Sequence, residues 1–85
     1  MRFRYAAALL LVGWYLLIPP QAHGGPFDLA APLSHWLIYG RFDSLHECEH
    51  AKALNRETFK APDDPLKEAF EHAQCVATND PRLAR

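Results

Sequence analysis

Fourteen consecutive uncharged and largely apolar residues, Tyr5 to Ile18, follow Arg2 and Arg4 and are stopped by Pro19-Pro20. This run decides how much of the chain is left to build a domain. A basic start, an apolar stretch of this length and a helix-breaking end are the layout of a secretory signal. A spanning helix needs about 20 apolar residues, so the segment is short for an anchor unless Arg4 snorkels and extends its reach. Ala22-His23-Gly24 puts small residues three and one before a scissile bond, and the sequence predicts cleavage after Gly24. The competing reading keeps residues 1–24 as a hydrophobic anchor helix, with Trp14 and Tyr15 in the interfacial belt. In both readings the rest of the chain lies outside the cytoplasm. It is periplasmic or secreted, or it is held at the inner membrane through Tyr5 to Ile18.

Removing 24 of the 85 residues leaves 61, enough for one small domain. A chain of that size buries only about 60% of its unfolded surface, so its core is marginal without a staple. All ten acidic residues lie after position 24, whereas Arg2 and Arg4 lie before it, which gives this part a formal charge of minus three. It has no basic stripe and no run of like charges, so nucleic-acid binding and strong attraction to anionic lipid have no source. A glycine-rich phosphate loop is also missing, and no cofactor is expected.

Cys48 and Cys75 form an even pair, and in an oxidising compartment a disulfide between them is expected. Closing the loop from 48 to 75 would remove about 3.5 kcal/mol of unfolded-chain entropy by the loop-closure model. The separation is far too great for the Cys-x-x-Cys spacing of a thioredoxin-like redox pair.

Residues 25–33 belong to a Pro/Gly-rich stretch that reads as a linker, and residues 34–85 as the stapled domain. From Ser34 to Phe42 the aromatic and β-branched content predicts a strand. Trp36, Ile38 and Phe42 share one side of a two-residue period, and Gly40 marks a bulge or close-packing point. Ser44 with Glu47 three residues on is a capping-box pattern, opening a helix to about Asn55 or Phe59. Its apolar stripe, Leu45, Cys48, Ala51 and Leu54, is expected to face the strand. Asp64 and Pro65 start a second helix with Leu66, Ala69, Phe70 and Ala73 on its buried face. Cys75 to Thr78 is a short β-prone run ended by Asn79-Asp80-Pro81. The simplest packing is a small α+β domain of β-α-α-β order, its last strand beside and antiparallel to its first, preceded by the hydrophobic helix.

His46-Glu47-Cys48-Glu49-His50 satisfies His-Glu-x-x-His, in which two imidazoles one turn apart ligate zinc and the glutamate acts as general base. A catalytic zinc also requires a third protein ligand, and no histidine follows at metzincin spacing. At about 100° per residue, Cys48 points about 160° away from both histidines, so a core-facing cysteine leaves His46 and His50 toward solvent. A polar helix face is the favoured reading. His72 is the only further ligand the pattern offers, since His35 sits in or before the strand and His23 is in the leader. Trp36 and Tyr39 are candidates for a binding surface, with core packing preferred. Asp63-Asp64 lacks the alternating ligands of an EF-hand and suits helix capping.

Gly13 to Pro20 and Cys75 to Leu83, with Pro32 to Trp36 and Phe42 to Cys48, resemble stretches of a group of short, uncharacterised exported bacterial proteins. The resemblance implies an exported protein with paired cysteines, and implies no chemistry. Taken together, the residues suggest a small non-enzymatic interaction or structural module of the cell envelope, with an envelope protein as partner. The alternative is a metal-binding protein or zinc hydrolase using His46, Glu47 and His50. A third reading is a membrane-anchored accessory subunit.

Overall fold

The computed structural model describes residues 12–21 and 25–84. Three strands and two helices follow one another as β1 (Trp14–Ile18), β2 (Leu37–Phe42), α1 (Leu45–Thr58), α2 (Pro65–Glu71) and β3 (Gln74–Ala77). Single 3₁₀ turns lie at Leu33–His35 and Pro81–Ala84. The strands form one sheet of order β2-β1-β3, and both outer strands run antiparallel to β1.

The α+β class and the Cys48–Cys75 disulfide match expectation. The hydrophobic helix over Tyr5 to Ile18 does not survive at its C-terminal end, because Trp14–Ile18 is the central strand. Residues 5–11 and the expected cleavage site at 22–24 lie outside the described residues. The physical reason is burial on both faces. Leu16 is 0% exposed against the helices and Leu17 is 1% exposed on the opposite side, so β1 has no polar face to alternate with its apolar one. A short continuous apolar run is equally compatible with a fully buried strand and with an apolar helix, and periodicity alone does not separate them.

The first and last expected strands are therefore not neighbours. β1 lies between them and pairs with both, Leu16 standing opposite Gly40 of β2 and Cys75 of β3. A third strand also relieves the weakness of a two-stranded sheet, which is marginal on its own.

On the helical side, Leu16, Cys48, Phe70 and Ala73 form one buried cluster, flanked by Trp14, Ile18, Phe42 and Phe59. Phe59 stacks on Phe70 with ring centroids 5.4 Å apart, and Tyr39 meets Phe70 edge-on at 4.9 Å. On the far side, Leu17, Trp36 and Val76 form a second cluster with Tyr15, Ala31, Leu33 and Leu83 around it. The disulfide clamps α1 to β3 across a Cα–Cα distance of 6.1 Å.

Local chemistry explains the helix starts. The Ser44 hydroxyl accepts from the Glu47 N–H at 3.1 Å, and the Asp64 carboxylate accepts from the Leu66 N–H at 2.9 Å, with Pro65 in the first turn. Each side chain satisfies a backbone donor that has no partner inside its helix.

Two expectations about facing are corrected. Trp36, Ile38 and Phe42 do not share a side, because the register shifts between Leu16 and Leu17, where Gly40 and Ile38 are the successive partners. Tyr39 is the extra residue, next to the Gly40 predicted as a bulge. The insertion reverses the two-residue period, sending Ile38 and Phe42 to opposite faces. The stripe on α1 is narrower than its spacing implies. Cys48 is buried and Ala51 packs on the core, while Leu45 and Leu54 remain exposed. On α2, Ala69 and Phe70 are buried as expected and Leu66 is exposed, while Ala73, expected on the same helix face, is buried beyond the end of the helix at Glu71.

The Pro/Gly-rich stretch is also part of the fold. Gln21 and Phe27 form a β-bridge, the Asp28 N–H donates to the Pro20 carbonyl at 2.7 Å, and the Trp36 indole N–H donates to the Ala31 carbonyl at 3.0 Å. Pro19 is buried. The folded unit thus extends well to the N-terminal side of residue 34. Among the described residues no helix is long and apolar enough to cross a membrane.

Candidate functional site

His46, Glu47 and His50 occupy the first two turns of α1, where Ser44 starts the helix and buried Cys48 fixes its rotation against the sheet. The three side chains are exposed, as expected from a core-facing Cys48. They line an open cleft of about 410 Å³ with Arg41 and Phe42 from the end of β2 and Asp43 just after it. Glu49, Cys48's other neighbour, is exposed. Among the described residues no three histidine, cysteine, aspartate or glutamate side chains are grouped to hold a metal ion. His72 follows α2 and lines a different cleft with Gln21, Phe27 and Pro62, and His35 belongs to the 3₁₀ turn before β2. Among the described residues, His46 and His50 are thus not grouped with the third ligand that a catalytic zinc needs.

A second cleft, of about 380 Å³, separates α1 from α2. Two ion pairs line it together with Arg56. Lys60 pairs with Glu57 at 3.0 Å and Lys67 with Glu71 at 2.8 Å. The Lys67 hydrogen bond holds the Glu71 carboxyl below the usual glutamate range. Such exposed pairs contribute little, typically under about 1 kcal/mol.

The apolar surface is concentrated on β2. Leu37, Ile38 and Tyr39 are 63%, 59% and 50% exposed, three successive residues on a strand whose outer edge pairs with nothing among the described residues. Ile38 continues into a groove of about 270 Å³ on the non-helical face, between Tyr15, Leu17, Trp36 and Leu83. The Ser34 hydroxyl beside it is buried and without a hydrogen-bond partner.

Of the two aromatics considered as binding residues, Trp36 is core, buried and hydrogen-bonded through its indole. Tyr39 is half exposed, with its hydroxyl donating to Asn55 Oδ1 at 3.0 Å. The sequence places Ile38 with Trp36 and Phe42 on one side of the strand and gives Leu37 no role, and it marks neither as a binding residue. The available signal was three apolar residues in succession on a strand, a pattern that requires either two covered faces or a partner. No protein-family model matches the chain, and no curated protein or solved structure shows significant similarity to it.

Proposed function

We propose that this protein is a non-enzymatic, extracytoplasmic interaction module that binds an extended segment of an envelope polypeptide along the free edge of β2. The observation that carries the reading is the run of exposed apolar residues Leu37, Ile38 and Tyr39 on an edge strand. Edge strands present unpaired backbone donors and acceptors, and folded proteins ordinarily protect them with charges, prolines or covering elements. Here the strand carries one charge, Arg41, and no proline. Strand addition would satisfy the backbone groups and bury alternate side chains, which is a recurrent mode of peptide recognition. The disulfide supports the placement outside the cytoplasm, because such bonds persist in oxidising compartments and are rare where thiols are kept reduced.

The test places a photoreactive side chain at Ile38 in the full chain, with a second variant carrying it at Glu57 on the far side of α1 as control. Irradiation in the producing bacterium is expected to give a discrete adduct with another envelope polypeptide from position 38 and none from 57. Equal labelling from both positions, no adduct from 38, or an adduct of two copies of this chain would each overturn the reading.

A further inference from the structure

The fold begins before the leader ends. Gly13 is bonded to Thr78 at both of its backbone groups. Its N–H donates to the Thr78 hydroxyl at 3.3 Å, and its carbonyl accepts from the Thr78 N–H at 2.9 Å. From there β1 supplies Leu16 to one buried cluster and Leu17 to the other, and among the described residues it is the only strand touching both β2 and β3 in the sheet. Cleavage after Gly24 would remove all of it. The two remaining strands would share no ladder, and each cluster would lose its central leucine.

The same residues are the C-terminal part of the hydrophobic run that resembles an export signal. A peptide group paired in this sheet is not available to a helix in the bilayer. With Trp14–Ile18 in the sheet, the apolar run that remains is Tyr5 to Val12, eight residues. A helix of that length extends about 12 Å, against a hydrocarbon core of about 30 Å.

We infer that residues 13–18 serve twice, first as the end of the hydrophobic export segment and then as the central strand of the folded protein. The mature polypeptide keeps them. Leader removal, the hydrolysis of one peptide bond with water by the membrane's leader peptidase, is confined to bonds before Gly13. Spanning the membrane through residues 13–18 and folding are then mutually exclusive states of that segment. This inference rests on the extracytoplasmic placement proposed above.

The experiment is the intact mass and N-terminal sequence of the full chain, tagged at its C-terminus and isolated from fractionated bacterial cells. The expected product lies outside the cytoplasm, has Cys48 and Cys75 oxidised, and begins at Gly13 or upstream. A folded, oxidised product beginning after Gly13 would overturn the inference while leaving the extracytoplasmic reading intact. A cytosolic product with both thiols reduced would overturn both. A full-length Leu16→Ser variant gives an independent readout. If the strand is retained, the isolated protein melts about 10 °C lower or more. If residue 16 is discarded with a leader, variant and parent give identical mature proteins and identical melts, and the inference fails.

Discussion

Cys75 stands directly opposite Leu16 in the β1–β3 ladder and is bonded through sulfur to Cys48 on α1. The covalent link therefore ties the helical layer to the strand that adjoins the centre of the sheet, and it does so within the same cluster that buries Leu16 and Phe70.

Because that link closes a long loop in a small protein, reduction or the double substitution of Cys48 and Cys75 by serine is expected to cost about 3 kcal/mol. At roughly 4–8 °C per kcal/mol for a domain of this size, the melting temperature falls by about 12–24 °C. Thermal unfolding with and without a reductant measures this, and an unchanged melt would contradict the clamp.

Leu16 and Leu54 are both leucines in regular structure, and the fold separates them. Leu16 is fully buried and Leu54 is 54% exposed. Leu16→Ala is expected to cost about 3–5 kcal/mol, a large part of a stability that is typically 5–15 kcal/mol. Leu54→Ala should stay within about 0.5–1 kcal/mol of the parent. Denaturant titration of the two variants side by side checks the pair.

The two helix starts make matched predictions. Ser44→Ala removes the acceptor for the Glu47 N–H, and Asp64→Ala removes the acceptor for the Leu66 N–H. Each is expected to destabilise by about 1 kcal/mol. The sites lie on different helices and share no partner, so the double variant should lose about the sum, read from urea midpoints.

Asp80 makes the acid dependence specific. Its carboxylate receives the Arg82 guanidinium at 2.7 Å and the Arg82 backbone N–H at 2.9 Å, and these bonds hold its pKa at about 2, below the ordinary 3.8. A carboxyl whose folded pKa is depressed stabilises fully above its unfolded value and loses that stabilisation as pH falls through the folded one. The stability difference between the parent and Asp80→Asn is therefore expected to be full above the unfolded value of 3.8 and to be lost as pH falls through about 2. A difference unchanged across that range in pH-dependent melts would contradict the assignment.

What could be read from the residues depended on whether the signal was local. Ser44, Asp64 and Pro65 announce their helix starts because capping is chemistry within four residues, and the cystine follows from two cysteines in an oxidising setting. β1 was not legible as a strand, since both of its faces are covered by elements far away in sequence and it consequently shows no alternation. The bulge at Tyr39 is likewise set by pairing with β1, and without that strand the period of β2 reads straight through from Trp36 to Phe42. The linker looked unpackable by composition, yet Ala31 and Leu33 cover the far side of the sheet. For the candidate site, the polar helix face of His46 and His50 was legible from the position of Cys48, whereas exposure of Leu37 and Ile38 depends on which edge of the sheet β2 occupies.

The central claim is that Trp14–Ile18 is the middle strand of the folded sheet, and native-state hydrogen exchange on the full chain tests it most directly. The slowest amides of a small domain exchange only through global opening. The account predicts that amides of Leu16 and Leu17 are among these slowest, alongside those of β3 and the core of α1. Exchange of residues 14–18 at the rate of an unstructured peptide, in a protein whose α1 amides are protected, would contradict it.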